Sequence, residues 1–131
     1  MATTATKFNV ATRRGIPFRT NNADLTVAAT FATRPSKVYW VEFKAIAFRT
    51  QNDLQAYSYW RQALYRTNSV GTVTLVGAIR TVVTDNEDAA GGLFEIDISG
   101  TDIRLRVAAE GTPTDWLIDS NIQEWDEVGI C

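Results

Sequence analysis

The stretch KVYWVEFKAIAFRT, residues 37–50, decides the fold class. With a period of two, Tyr39, Val41, Phe43, Ala45 and Ala47 fall on one face, and Glu42 and Lys44 on the other. Such alternation marks a half-buried β-strand. Downstream, TQNDLQ (50–55) is expected to be a loop with Asn52-Asp53 as turn formers, residue types that favour turns by bonding to nearby backbone. AYSYWRQALYRT (56–67) then sets Tyr57, Tyr59, Ala63 and Tyr65 on one face and Trp60, Gln62 and Leu64 on the other. Helix propensity does not exclude a helix there, but the density of aromatic residues favours a strand. Asn68-Ser69-Val70-Gly71 is a hairpin signal between two apolar runs.

TVTLVGAIRTVVT (72–84) continues as a strand in which Gly77 marks a bulge. DNEDAAGG (85–92) is a polar loop. LFEIDISG (93–100) points Phe94, Ile96 and Ile98 inward and Glu95 and Asp97 outward, and Gly100-Thr101-Asp102 turns the chain. IRLRVAA (103–109) alternates again with Arg104 and Arg106 outward, residues 110–114 turn, and DWLIDSNIQEW (115–125) closes the series. Upstream, LTVAATFAT (25–33) is a strand stopped by Arg34-Pro35-Ser36. About seven short strands without crossover helices predict an all-β, antiparallel β-sandwich or jelly-roll-like domain over residues 24–131. A parallel α/β fold is excluded because no segment could serve as a crossover. Residues 1–23 show no useful period and contain breakers at Gly15 and Pro17, so they are expected to form an extended N-terminal arm.

At 131 residues and 14.5 kDa the chain has the length of one domain. Area scaling buries about two-thirds of the unfolded surface at this mass, enough for a core without disulfides. The single cysteine, Cys131, cannot form a disulfide framework. MATTATKFNV lacks the apolar run of a signal peptide, and no stretch approaches the roughly 18 apolar residues of a membrane span.

Net charge is −2 but unevenly placed. Residues 1–66 hold ten Lys/Arg against three acids, a net +7, and residues 67–131 hold three arginines against twelve acids, a net −9. Either the halves mix within a sandwich and the charges average out, or a basic arm meets an acidic face on a neighbouring subunit.

The chain contains no histidine, which removes Ser-His-Asp and Cys-His catalysis and the commonest transition-metal ligand. Phosphate-binding glycine loops and cysteine-pair zinc motifs are also missing. Asp85, Glu87 and Asp88 suit a hard cation by type, but turn chemistry already accounts for them. Asp115, Asp119 and Glu124 suit a glycosidase pair by residue type, but solvent-facing positions in a final hairpin explain them as well. Trp40, Trp60 and Trp116 are able to stack on sugar rings, although packing in a core or interface is the more frequent use. Arg13, Arg14 and Arg19 form a small basic cluster, but with a pI near 5.1 salt bridges at a subunit contact fit better than nucleic acid.

The run from Tyr57 to Trp125 resembles a module that recurs in structural proteins of tailed bacteriophages. The shared pattern is an aromatic strand with arginines, a G-x-V-T-x-V-G hairpin at Gly71–Gly77, and an Asp- and Ala-rich loop at Asp85–Ala90. S-G-T-D-I-R-L-R-V at Ser99–Val107 and the Asp115-Trp116 final strand complete it, and VEFKAIAFRT (41–50) is similar to its leading strand. The resemblance spans about two-thirds of the chain, residues 37–125. It implies a β-sandwich that commonly assembles as a homotrimer, with no catalytic residues and no cofactor. The basic N-terminal segment and the lack of a shaft repeat depart from a long tail fibre.

The resulting expectation is a non-enzymatic phage virion structural protein, assembled in the host bacterial cytoplasm, that cements or decorates the capsid. Its partners would be the major capsid protein or another virion protein, with no membrane and no nucleic acid. The interface residues expected on the arm are Phe8, Arg13, Arg14, Ile16, Phe18 and Arg19. The alternative is a tail-fibre or tail-tip domain that recognises a host surface glycan through loops such as 85–92 and 110–114.

Overall fold

A computed structural model describes residues 7–21, 24–49, 55–87, 92–108 and 113–126. Nine strands and no helix lie among them: β1 (Lys7–Thr20), β2 (Thr26–Ala32), β3 (Lys37–Arg49), β4 (Gln55–Thr67), β5 (Val73–Thr81), β6 (Asn86–Glu87), β7 (Leu93–Ser99), β8 (Asp102–Ala108) and β9 (Thr114–Asp126). A six-stranded sheet runs β1-β9-β3-β4-β5, with β6 also pairing β4, and a three-stranded sheet runs β2-β8-β7. Every pairing is antiparallel. This is the expected all-β sandwich, and the seven expected strands are β2, β3, β4, β5, β7, β8 and β9. Two-residue β6 arises inside the segment expected to be loop.

The period-two pattern places the core. Tyr39, Val41, Phe43, Ala45 and Ala47 of β3 are buried, as are Tyr57, Tyr59, Ala63 and Tyr65 of β4 and Trp116, Ile118 and Ile122 of β9. The small sheet meets them with Phe94 and Ile96 of β7 and Ile103, Leu105 and Val107 of β8. The sheets lock through rings: Tyr59 stacks on Phe94 at 5.3 Å and on Trp116 at 5.8 Å, and Phe31 of β2 meets Tyr39 edge-on at 5.6 Å. Ile98 departs from the expected alternation. It is exposed, at the end of β7 beside the Gly100 turn.

The hairpin after β4 follows its sequence signal. Asn68 Oδ1 accepts from the amides of Val70 and Thr72, and Gly71 takes a φ of +92°. The expected bulge of β5 is present: between Gln62 and Leu64 of β4 the pairing skips ahead in β5, and Gly77, at φ +78°, lies in the skipped stretch. At Gly92 the constraint is space. A Cβ there would lie 2.0 Å from Tyr59 Oη and 2.9 Å from Glu87 Oε2. Tyr59 is buried and donates to Glu87 at 2.8 Å, so it cannot move cheaply. Gly92→Ala is expected to destabilise the domain by about 1–3 kcal/mol, read by chemical denaturation; wild-type stability in this variant would refute the crowding argument.

Residues 7–20, expected within the arm, are extended and run along β9 as an edge strand of the same chain. Two register shifts, at Asn9/Ala11 and Arg13/Ile16, each insert one residue in β1, and Gly15 takes φ +63°. Ile16 and Phe18 pack against the core, and Thr20 is buried. Because β9 lies between β1 and β3, the basic half of the sequence is threaded through the acidic half. Arg19 pairs with Asp115 at 3.2 Å, Arg34 with Glu124, and Arg61 with Asp85 at 2.6 Å. Of the two charge expectations, mixing of the halves within one sandwich describes these pairs.

Candidate functional site

On β3, β4 and β9 alternate residues face away from the small sheet, and this outer face mixes apolar with polar side chains. Its register is defined by the ladders: Lys44 lies beside Trp60 of β4 and Asp119 of β9, and Ile46 lies beside Ser58 and Leu117. Ile46 and Leu117 are 53% and 39% exposed. Exposed aliphatic side chains that adjoin across strands form a patch, not scattered surface residues.

A cleft of about 380 Å³ opens on this patch. Ile46 and Leu117, neighbours on the sheet face, form its floor, and Lys44, Trp60, Gly15, Asp119, Val83 and Thr84 line the rest. The segment that carries Val83 and Thr84 is fastened on both sides. Val82 N donates to Trp60 O at 3.1 Å, Arg61 grips both oxygens of Asp85 at 2.6 and 2.8 Å, and Glu87 accepts from Tyr59. Burial, reinforced by the bond to Glu87, pushes the Tyr59 hydroxyl far above its ordinary value, so it stays a donor throughout the neutral range. A second cavity of about 680 Å³ shares Ile46 and Ser58 with the first and reaches Phe48 and Asn86.

Three polar features mark the cleft. Lys44 Nζ stands 4.9 Å from the Trp60 ring centroid, and no carboxylate lies within ion-pairing distance of it among the described residues. Asp119 Oδ1 accepts the Gly15 amide at 2.7 Å. The Trp60 indole Nε1–H is buried without an acceptor among the described residues, a group that normally finds one. An apolar floor, an indole and one cation without an ion-pair partner among the described residues suit a ligand with both an apolar face and polar substituents.

The residues singled out in the sequence separate. Arg14 is exposed, and Arg19 is exposed with its bond to Asp115 of the same chain. The side chains of Phe8 and Arg13 lie outside the described residues. Glu124 is turned to the interior while Asp115 and Asp119 face outward, so the three carboxylates do not share a face; the solvent-facing position expected for Glu124 is corrected to a buried one. Asp85 and Glu87 are engaged by Arg61 and Tyr59, Asp88 is outside the described residues, and no group of three potential metal ligands converges among those described. Trp116 is core, whereas Trp60 is on the outer face. Ile46 and Leu117 were not singled out. Their available signal is phase: each is an aliphatic residue at a strand position whose neighbours on that face are Lys44 and Asp119.

No family model and no curated protein matches the chain. Two solved structures are similar to it. The tailspike protein of Acinetobacter baumannii phage AM24 has a TM-score of 0.42 and 11% identity, over 86% of this chain and 26% of that one. The tailspike protein of Acinetobacter phage vB_ApiP_P1 has a TM-score of 0.38 and 15% identity, over 87% of this chain and 23% of that one. The chain spans about a quarter of the length of either.

Proposed function

We propose that this chain is a non-enzymatic binding domain of a tailed-phage virion, carried on the tail, that holds a host surface glycan in the cleft beside Trp60. The cleft carries the proposal: an indole next to an aliphatic floor suits the apolar face of a sugar ring, and Lys44, Ser58 and Asp119 surround it with hydrogen-bonding groups. The resemblance of residues 37–125 to phage structural modules supplies the setting, and assembly as a homotrimer in the virion belongs to the same proposal. A capsid clamp has less support than it had in the sequence. A clamp needs a free arm, and residues 7–20 commit the backbone hydrogen bonds of one edge to β9, with Ile16 and Phe18 packed on their own core.

The test is binding of the purified protein to surface polysaccharide isolated from the phage's host. Trp60→Ala is expected to weaken binding about tenfold or more, near 1.4 kcal/mol, with unchanged thermal stability. If the variant binds the polysaccharide as the parent does, the cleft is not the site. Stoichiometric decoration of capsids by the parent would instead restore the cement role.

A further inference from the structure

We infer that the sugar seated in the cleft is acidic: its carboxylate pairs with the Lys44 ammonium while its ring lies over Ile46 and Leu117. This rests on the proposal that the cleft takes a glycan, and it names the class of glycan. The argument begins with Lys44. Among the described residues six ion pairs engage Arg19, Arg34, Arg61, Arg104 and Arg106, yet Lys44 pairs with no carboxylate there. Its ammonium stands instead by the Trp60 ring.

The obvious local partner is turned elsewhere. Asp119 lies beside Lys44 in the β3–β9 register, but its Oδ1 accepts from Gly15 of β1. The ammonium stands instead over Trp60, on β4, and β3 separates β4 from β9. Adjacent strands lie about 4.8 Å apart, so this lean carries the positive charge away from the Asp119 side. An anion approaching over Trp60 and Ser58 therefore meets Lys44 before it meets Asp119. Beside an apolar floor the local dielectric is below that of water, which strengthens the attraction.

A neutral sugar would leave the Lys44 charge without an ionic partner, and a phosphate or sulfate ion alone would leave the aliphatic floor uncovered. A pyranose bearing a carboxylate satisfies both. Asp119, on the far side, sets the orientation by repelling the carboxylate toward β4.

The experiment measures affinities by calorimetry for three acidic probes, oligogalacturonate, oligomannuronate and sialyllactose, each beside a neutral counterpart. The counterparts are the carboxyl-reduced oligomers and lactose. At least one acidic probe is expected to bind about tenfold tighter than its neutral form, with the preference shrinking as salt rises. Lys44→Gln should abolish the preference, and Lys44→Arg should keep most of it. Neutral sugars that bind as tightly as acidic ones, dependent on Trp60, would overturn the acidic class and leave the glycan site standing. An acid preference that survives Lys44→Gln would also overturn the inference. Failure of all six probes and of the host polysaccharide would overturn both.

Discussion

Truncating Trp116 to alanine is expected to lower stability by about 3–5 kcal/mol, the upper range for a buried aromatic. The indole is 1% exposed and stacks at 5.8 Å on Tyr59 and 6.3 Å on Phe94, so one side chain of β9 touches both sheets. Three costs combine: transfer of the ring, the cavity between the stacked partners, and aromatic contacts worth about 0.5–1.5 kcal/mol each. A fourth concerns β1. Trp116 Nε1 donates to buried Thr20 Oγ1 at 3.0 Å, the bond that ties the end of β1 to the core. For a domain of this size the expected fall in Tm is about 10–20 °C. Trp116→Phe keeps a ring and loses the bond to Thr20, so it should cost less than half as much. Denaturation curves with an unchanged slope are the measurement; a loss below about 1 kcal/mol for the alanine variant would show that the ring stack does not join the sheets.

Glu124 is the second point of leverage. Its carboxylate is 1% exposed and accepts from Tyr39 Oη at 2.7 Å, from Arg34 Nε at 3.2 Å and from a second Arg34 nitrogen. The Arg34 amide in turn donates to Tyr39 Oη at 2.7 Å. Glu124→Ala leaves the Tyr39 hydroxyl buried without its acceptor and frees the turn between β2 and β3. The Arg34 side chain is 61% exposed, so water screens the pair and the cost falls below that of a fully buried one. About 2–3 kcal/mol is expected.

The pH dependence follows from the direction of the shift. Burial alone would raise the Glu124 pKa, but bonds from Arg34 and Tyr39 and the charges of Arg34 and Lys37 outweigh it, and the net value lies below 4.5. A carboxyl depressed in the folded state stabilises fully above its unfolded pKa and loses that contribution as pH falls through the folded one. Asp97, lowered chiefly by the hydrogen bond from Arg104, acts in the same direction. Stability of the parent should therefore decline in acid below about pH 4.5, and Glu124→Gln should flatten part of that decline. An acid limb identical in the two proteins would remove Glu124 from this role. Tyr39 is raised to about 12 by burial and then by its bond to Glu124, so it stays neutral across that range.

Glu124 also illustrates where local pattern fails. DWLIDSNIQEW alternates well enough to mark a strand, but a glutamate in the inward phase looks like a solvent position until a partner is known. Arg34, ninety residues away in sequence, is that partner. The pairing of β1 was hidden for a different reason. Two inserted residues shift its phase within fourteen, so neither face shows a continuous period, and Gly15 and Pro17 resemble breakers when they serve as edge-strand features. Trp60 was legible as an outward aromatic on β4, yet its setting was not, because Leu117 and Val83 reach it from distant segments.

By itself the sequence determined the all-β class, the seven main strands, the hairpin at Asn68–Gly71, the bulge at Gly77 and most of the buried face. These depend on side-chain alternation and turn chemistry, which act over a few residues. Only the tertiary structure decided that β9 inserts between β1 and β3. That insertion sets Leu117 beside Ile46, draws Asp119 to Gly15, and makes a cleft from an aliphatic pair and the Lys44 ammonium. Strand neighbours are chosen by register and packing over the whole chain, and no local period carries that choice.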